Sequence, residues 1–305
     1  KVDIKNDPRK VLSNEKKKLF EHYNSILLSH SKKIQSTAVS YRDEVRTTYF
    51  ANSFGAYIEQ DRLDVVGTFN VIARDENNVK QAYESVSSRD SYDVVLNLDK
   101  QVLETAERAL RQLLAKPVQA GDYTVVLDPK LTGVFIHEAF GHLSEGDNVY
   151  ESDKMKEILV LGKEIANPKL TVVDSSVIPG LPGSFAYDDE GVEAHKTVLI
   201  ENGILANRLH SRETAAKMNE KTTGNARALT TGFAPIPRMT NTYIEKGDVN
   251  FNEMISDIKE GIYAIRMLGG QTNGELFTFA SGEAYMIRDG KIAEPVSDVT
   301  LSGNV

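Results

Sequence analysis

Two histidines and a glutamate lie close together in the apolar run of residues 133–142, and their types could do metal chemistry. The run reads Gly-Val-Phe-Ile-His-Glu-Ala-Phe-Gly-His and contains His137, Glu138 and His142. Imidazole is a common ligand of zinc, and a neighbouring carboxylate can take a proton from a metal-polarised water. The pattern predicts metal-assisted hydrolysis. The alternative is a pair of core histidines beside a capped glutamate.

The spacing of the two histidines sets a geometric condition. Zinc peptidases often have H-E-x-x-H on a helix, with the histidines at i and i+4 on one face. Here the second histidine stands at i+5, and on a regular α-helix the two side chains would point roughly 140° apart. One extra residue in a π-type turn would bring them to the same side, and Gly141 is the residue best suited to allow it. We therefore expect the helix to widen, or to end, at Gly141.

The residues before the motif predict the elements that position it. Tyr123 to Leu127 is a short strand-like run, and Asp128 and Pro129 are typical of an N-cap followed by proline at the first helical position. The motif should therefore lie in the C-terminal half of a buried helix. The apolar residues expected to pack this helix are Leu131, Val134, Phe135 and Ile136.

The sequence HEAFGHLSEGD at 137–147 resembles the H-E-x-x-x-H signature of the TldD branch of the TldD/TldE (PmbA) peptidases. The resemblance covers most of residues 119–305 in the family's order, and the N-terminal third matches more loosely. It is also carried by AYDDEG at 186–191, VLIENG at 198–203, PRMTNTY at 237–243, GGQ at 269–271 and SGEAY at 281–285.

This resemblance implies a zinc site. His137 and His142 would be metal ligands and Glu138 the catalytic base. The family's third ligand is a cysteine in a Cys-Gly-Lys-like segment near its C-terminus, whereas this chain has no cysteine. We expect that cysteine beyond residue 305 and regard the chain as a fragment, with a natural variant using another ligand as the alternative. The isolated chain is then expected to bind zinc weakly, and its inactivity is one expected outcome.

The resemblance also implies an activity and a partner. The expected function is a cytoplasmic metallopeptidase that hydrolyses peptides or unfolded segments and works as a homo- or heterodimer, often with a TldE/PmbA-like subunit. One alternative is a non-catalytic partner subunit, although the inactive branch of the family lacks the motif. Another is a metal hydrolase that acts on a non-peptide amide, because the chemistry at zinc would be the same.

The composition limits the class of protein. With 305 residues, 40% of them apolar, the chain is long enough for about two domains with sizeable cores. A net charge of −8 argues against a nucleic-acid-binding surface. No apolar run approaches the roughly 18 residues of a membrane span. The absence of cysteine excludes disulfides and favours the cytoplasm.

The pattern of apolar residues predicts an α+β fold in two domains, 1–118 and 119–305. The first domain, which we expect to be incomplete in this chain, should contain two helices, Asn14–Ile34 and Leu98–Lys116, around an antiparallel meander. The second, metallopeptidase domain should be truncated at its C-terminus, mostly antiparallel and barrel-like, with the motif helix packed on its sheet. The strands predicted in the meander are Ala38–Arg42, Val45–Ala51, Ala56–Arg62, Val65–Arg74 and Val79–Ser88.

Further elements are predicted in the second domain. Helices are expected at Lys154–Ala166, after an acidic loop at 145–153, and at Phe251–Tyr263. Asn202-Gly203 and Asp289-Gly290 are strong hairpin signals between apolar runs.

Several polar residues outside the motif could act at the site. Glu145 and Asp147 could hydrogen-bond a ligand imidazole, or Glu145 could replace the missing ligand; solvated loop residues are the alternative. Arg238 could anchor a peptide carboxylate or a transition-state oxyanion, or could form a structural salt bridge. Gly269 and Gly270 could let a peptide backbone approach closely, or could form an ordinary loop.

The remaining histidines and acids have mostly structural interpretations. His195 and His210 could in principle complete a metal site, but we interpret them as surface or loop histidines. His22 and His30 lie on the first predicted helix and are interpreted as structural. The acidic cluster 188–190 lacks a calcium-loop pattern and is interpreted as a solvated turn.

Overall fold

The computed structural model describes residues 4–76, 78–230, 232–273, 276–297 and 299–304. They form an α+β fold with mostly antiparallel sheets, as predicted. The helices are α1 (Ser13–Ser29), α2 (Asp99–Leu114), α3 (Pro129–Ile136), α4 (Gly146–Glu151), α5 (Asp153–Ile158), α6 (Arg212–Met218) and α7 (Phe251–Ile255). The strands are β1 (Ile34–Ala51), β2 (Tyr57–Asp75), β3 (Asn78–Ser88), β4 (Lys116–Pro117), β5 (Thr124–Leu127), β6 (Val172–Ser175), β7 (Lys196–Glu201), β8 (Ile204–Leu205), β9 (Ala226–Arg227), β10 (Ile236–Pro237), β11 (Thr242–Ile244), β12 (Glu260–Asn273), β13 (Leu276–Arg288), β14 (Lys291–Ser297) and β15 (Thr300–Asn304).

The N-terminal part is an antiparallel sheet, β1-β2-β3, covered by α1 and α2. The predicted meander is confirmed, but its five predicted strands are three long ones. Charged residues interrupt the apolar alternation without ending the backbone pairing, so β1 and β2 stay paired from Ala38↔Asn70 to Ala51↔Tyr57. The first helix ends at Ser29, earlier than predicted, because Ile34 already begins β1.

Aromatic side chains form the core between the helices and this sheet. Phe20 stacks on Phe69 with ring centroids 5.9 Å apart, and Tyr23 meets Phe69 edge to face. The Tyr23 hydroxyl donates to the Val95 carbonyl at 2.8 Å, so this buried ring keeps a hydrogen bond. The core therefore fixes α1 against the sheet.

The larger sheet of the second part has the strand order β4-β14-β13-β12-β5, and β15 also pairs with β13. β12 and β13 are long antiparallel partners, while β5 joins β12 in parallel only at Gly261–Ala264. Within the described residues β4 and β5 are the two edges, so the sheet is not a closed barrel. The second half of β12 extends past β5 toward the motif.

Two predicted helices are shorter than expected. The helix predicted at Lys154–Ala166 is only α5, and the predicted acidic loop before it contains α4. Gly162 has φ +84, a left-handed conformation that an α-helix does not accommodate. The helix predicted at Phe251–Tyr263 ends at Ile255, because pairing with β5 draws the chain into β12 from Glu260 and buries Ile262.

Both predicted hairpins are present. Asn202 and Gly203 have φ values of 49° and 83°, and Asp289 and Gly290 have 48° and 74°. Positive φ at both turn residues is the geometry that favours Asn-Gly and Asp-Gly. No helix in the described ranges is both long and apolar enough to span a membrane.

A buried carboxylate joins the N-terminal sheet to the second part. Glu84 on β3 is 2% exposed and accepts hydrogen bonds from Lys130 Nζ at 2.8 Å and Arg108 Nη2 at 3.4 Å. Arg266 on β12 also pairs with it. Burial opposes its charge, but Lys130 and the two arginines hold the pKa of Glu84 below its usual value.

Candidate metal centre

The motif helix begins as the sequence predicted. The Asp128 carboxylate accepts a hydrogen bond from the Leu131 amide at 2.8 Å, and Pro129 is the first helical residue. Asp128 also accepts from the Arg266 amide at 3.1 Å, at a point where Arg266 has φ +59 beside an irregularity in β12. The same cap therefore fixes α3 and aligns β12 beside it.

The helix widens at the motif. Residues His137–Gly141 form a π turn, and the His142 amide donates to the His137 carbonyl. The imidazoles of His137 and His142 consequently lie together, with ring centroids 4.7 Å apart and planes at 79°. Gly141 is buried, and a Cβ there would overlap the Met239 sulfur. The expected widening is confirmed, and the two histidines meet although they are five residues apart.

Glu138 is held in place by residues of β12. Its side chain is 9% exposed, and its Oε2 accepts a hydrogen bond from Thr272 Oγ1 at 2.5 Å. The same hydroxyl lies 2.8 Å from the Glu138 carbonyl. A Cβ on Gly270 would lie 3.0 Å from Glu138 Cγ. The sequence analysis considered Gly270 as a place where a peptide backbone could approach, whereas Gly270 packs against Glu138. No local sequence pattern indicated that Thr272 would bond Glu138.

His142 is oriented by a buried carboxylate. Its Nδ1 lies 3.2 Å from Oε2 of Glu145, which is 1% exposed. The same oxygen accepts from Asn148 Nδ2 at 3.3 Å and Arg238 Nη1 at 3.0 Å. A proton on Nδ1 leaves Nε2 free to bind a cation. The hydrogen-bonding role considered for Glu145 thus matches its position, and it is not a solvated loop residue.

The two imidazoles have different environments. Burial lowers the pKa of His137, and the neighbouring His142 adds to that shift. The hydrogen bond to Glu145 raises the pKa of His142. A neutral His137 has a lone pair available for a metal ion.

Arg238 forms salt bridges in place of an open anchor for substrate. Besides Glu145, its Nη1 lies 3.6 Å from Asp147 Oδ2 and donates to the Pro237 carbonyl at 2.6 Å. Burial raises the pKa of Asp147. Among the interpretations of Arg238, the geometry favours the salt bridge over an anchor for substrate.

A cleft of about 560 Å³ opens beside the motif. The motif side chains Glu138 and His142 form one wall, and the end of β12 forms another. Its lining residues are Glu138, His142, Leu143, Asn148, Ser152, Met155, Gly270, Gln271 and Thr272. Glu138 and His142 therefore face a space that a peptide segment could enter, whereas His137 is not among the lining residues.

The other histidines are not part of this centre. His195 is exposed, with Nδ1 3.2 Å from the Glu193 carbonyl, as predicted for a surface histidine. His210 lies in the loop before α6, as one of its two predicted alternatives had it, but it is 1% exposed and therefore is not a surface histidine. Its two nitrogens lie 3.0 Å from Thr214 Oγ1 and from Glu220 Oε2. His22 makes a 2.5 Å contact to Asp99, and His30 is exposed at the end of α1.

The acidic cluster at 188–190 is not a solvated turn. Asp188 is buried and accepts hydrogen bonds from the amides of Glu190, Val192 and Ala226 at 2.8–3.0 Å. Asp189 accepts from the Ala228 amide at 2.9 Å. In this irregular segment the carboxylates accept the hydrogen bonds that backbone carbonyls would accept in a regular element. The sequence pattern does not reveal that role.

The donors present fit part of a zinc site. Two imidazoles converge, and one of them is fixed by a carboxylate, as at many metal centres. Across the described ranges, no group of three or more His, Cys, Asp or Glu residues is arranged to hold a metal ion. Protein zinc sites usually have at least three protein ligands. The motif therefore fits zinc only if another residue completes the site.

Comparison with known proteins gives the family. The sequence models of the PmbA/TldA metallopeptidase central domain and C-terminal domain match residues 6–116 and 120–305. A metalloprotease from Synechocystis is 49% identical over 299 residues, covering 98% of this chain and 65% of the relative. A zinc metalloprotease TldD homolog from Saccharolobus solfataricus is 32% identical over 303 residues, covering 98% of this chain and 66% of the relative.

Solved structures share the fold. A proposed modulator of a DNA gyrase from Thermotoga maritima has a TM-score of 0.82 at 24% identity, covering 100% of this chain and 69% of the other. TldE from Thermococcus kodakarensis has a TM-score of 0.77 at 18% identity, with the same coverage. The chain spans 60–65% of the length of its first three curated relatives. By these domain matches and identities, the chain belongs to the TldD/PmbA family of metallopeptidases.

Proposed function

We propose that this chain carries the metal-binding part of a zinc-dependent peptidase of TldD type, acting on peptides or unfolded segments. The observation that carries the proposal is the π turn, which sets His137 and His142 side by side while Glu138 faces the same cleft. The metalloprotease names of relatives support it, and one of them is a zinc metalloprotease.

In this proposal His137 and His142 hold the ion. Zinc bound there would polarise the scissile carbonyl and lower the pKa of a water molecule. Glu138 would act as the base, accepting a proton from the attacking water and returning it to the leaving amine. Thr272 keeps the Glu138 carboxylate turned toward the cleft through its 2.5 Å hydrogen bond.

A third ligand is required, and the described residues do not supply one. We propose that this third ligand is a cysteine beyond residue 305, as the family resemblance implies. Two imidazoles alone would hold zinc weakly, so the 305-residue chain is proposed to be a poor catalyst by itself. We also propose that the chain divides into two domains, 1–118 and 119–305. The proposed location of the protein is the cytoplasm.

The proposed assembly is a homodimer or a heterodimer with a TldE-like subunit. The fold shared with TldE from Thermococcus kodakarensis supports a pseudo-symmetric pair. The second half of β12, from Met267 to Asn273, lies next to the cleft and beyond the end of β5. An extended substrate could add to this strand edge beside Glu138.

The test is Glu138→Gln in a version of the chain extended through the family's Cys-Gly-Lys-like segment. Peptide hydrolysis should fall to background while zinc content stays unchanged. Glu151→Gln, an exposed glutamate on α4, is the matched control and should keep full activity. Hydrolysis retained by Glu138→Gln would refute the role of this residue as the base.

A further inference from the structure

A second cleft, of about 570 Å³, lies away from the motif. It shares no lining residue with the cleft beside the motif, which we call the Glu138 cleft. Residues 59–63 of β2 form one wall, and the opposite wall comes from the segment 176–187. Side chains of a strand alternate between its two faces. A cleft that touches five consecutive strand residues therefore runs along the backbone edge of β2.

This edge is open where the cleft lies. β2 pairs with β1 out to Tyr57, but its pairing with β3 stops at Val65↔Ser88. In the part of the chain that the structure describes, no strand pairs with residues 57–64 on that side. After Ser88 the chain leaves the sheet, and the Arg89 amide donates to the Gly180 carbonyl at 3.1 Å. The cleft thus occupies the position of one further strand.

Arg62 brings a guanidinium group into this cleft. Its guanidinium lies over the Phe185 ring, 5.1 Å from the centroid, and its buried Nε has no hydrogen-bond partner. Among the described residues no ion pair or hydrogen bond of the Arg62 side chain occurs, and burial lowers the pKa of Arg62. Arg89 in the same cleft differs in having an ion pair with Asp64 at 3.1 Å and a hydrogen bond from Nη1 to the Ser184 carbonyl at 2.6 Å, although its Nε also lacks a hydrogen-bond partner.

Among the described residues, the acids that line the cleft form no salt bridge with Arg62, and Asp189 and Asp64 act on it through their charges, against the pKa shift that burial causes. Glu59 and Asp61 alternate with it along β2, so their side chains leave the strand on the other face. Asp61 accepts there from Thr47 Oγ1 at 2.7 Å. On the face of Arg62, Gln60 bonds the amides of residues 186 and 187 at 2.8 and 3.0 Å. A guanidinium buried beside an aromatic ring offers paired donors to a carboxylate.

We propose that this cleft binds an extended peptide as an added strand on the edge of β2, with Arg62 taking a carboxylate side chain of that peptide. Backbone hydrogen bonds to residues 59–63 supply sequence-independent affinity, and Arg62 supplies the preference for an acidic residue. Exposed Val177 and half-buried Phe185 provide apolar contact for neighbouring side chains. The site is separate from the Glu138 cleft, so binding does not depend on zinc or on hydrolysis.

The probe is the fluorescent blocked peptide Ac-KTVDVTK-NH2, compared with Ac-KTVNVTK-NH2 by fluorescence anisotropy. The protein is the zinc-free Glu138→Gln variant, so cleavage cannot interfere. The aspartate peptide should bind about tenfold tighter or more than the asparagine peptide. Arg62→Met should remove that difference, and Arg62→Lys should keep part of it. Arg46→Met is the matched control, because Arg46 is the exposed cross-strand partner of Arg62 and pairs with Glu44.

Hydrogen exchange locates the bound peptide. The amides of residues 59–63 that point away from β1 should gain protection with the aspartate peptide in the parent protein and in Arg46→Met, with no change around the motif. Equal affinity for both peptides, or the same preference in a folded Arg62→Met, would overturn the role of Arg62. No binding at millimolar peptide, or protection confined to another surface, would overturn the site. Circular dichroism of each variant establishes that it is folded.

Discussion

Nδ1 of His142 lies 3.2 Å from Oε2 of Glu145, and the same oxygen accepts a hydrogen bond from Arg238. This contact directs the free lone pair of His142 away from the loop and toward the cleft. The short segment after the motif therefore takes part in building the proposed metal centre, because it supplies the carboxylate that orients one of its two imidazoles.

Replacing Glu145 by glutamine should weaken zinc binding about 10- to 100-fold, which is typical for loss of a carboxylate that orients a metal-bound histidine. The measurement is competition with a zinc chelator. Asp147→Asn is the control, because Asp147 also pairs with Arg238 and is not bonded to His142. If both variants bind zinc as the parent does, Glu145 has no part in orienting the ligand.

Replacing Gly141 by alanine should destabilise the fold by about 1–3 kcal/mol, because a Cβ there overlaps the sulfur of Met239. Zinc affinity should fall as well, since the π turn that pairs the histidines is disturbed. Adding Met239→Ala to this variant makes room for the methyl group and should restore much of the zinc affinity. Urea unfolding and chelator competition measure the two effects. Full zinc affinity in the single variant would show that the π turn tolerates a side chain.

Replacing Thr272 by valine removes the hydrogen bond to Glu138. A hydrogen bond to a charged group contributes about 1.5–3 kcal/mol, so kcat of the extended enzyme should fall by about tenfold or more. Zinc content should stay unchanged, because Thr272 bonds Glu138 and neither histidine. Thr278→Val, on the neighbouring strand β13, is the matched control. An equal kcat in both variants would contradict the positioning role of Thr272.

Replacing Glu84 by glutamine leaves Arg108 and Arg266 without their buried counter-charge and should cost about 3–5 kcal/mol of unfolding free energy. Because the pKa of Glu84 is lowered in the folded protein, its contribution is present above its usual pKa of 4.5 and is lost as the pH falls through the folded value. The stability difference between parent and variant should therefore shrink below about pH 4.5. Glu201→Gln, an exposed residue, should show little effect. A difference that does not change with pH would exclude the ionised Glu84 as its source.

The sequence predicted the features that depend on local chemistry. The i+5 spacing and Gly141 together implied a widened helix, and Asp128-Pro129 marked its start; both are confirmed. Asn202-Gly203 and Asp289-Gly290 require positive φ and formed the expected hairpins. The fold class followed from strand alternation.

Features set by distant partners were not predictable. Thr272 reaches Glu138 across 134 residues of sequence, and Glu84 reaches Arg266 across 182. His210 is buried, with Gly146 close to its ring and Thr214 and Glu220 at its two nitrogens, and its sequence neighbours do not signal these contacts. The apolar residues around Ile262 recur with a spacing that is compatible with a helix. Only pairing with β5 makes Ile262 part of a strand.

Elemental analysis after dialysis decides whether His137 and His142 share one zinc ion. The protein for this measurement is the chain extended beyond residue 305 through the Cys-Gly-Lys-like segment, with the 305-residue chain beside it. The extended chain should hold about one zinc per chain, as expected for three protein ligands. The shorter chain and the His137→Ala and His142→Ala variants of the extended chain should lose most of it. Stoichiometric zinc in both histidine variants, or none in the extended parent, would contradict the proposed metal centre.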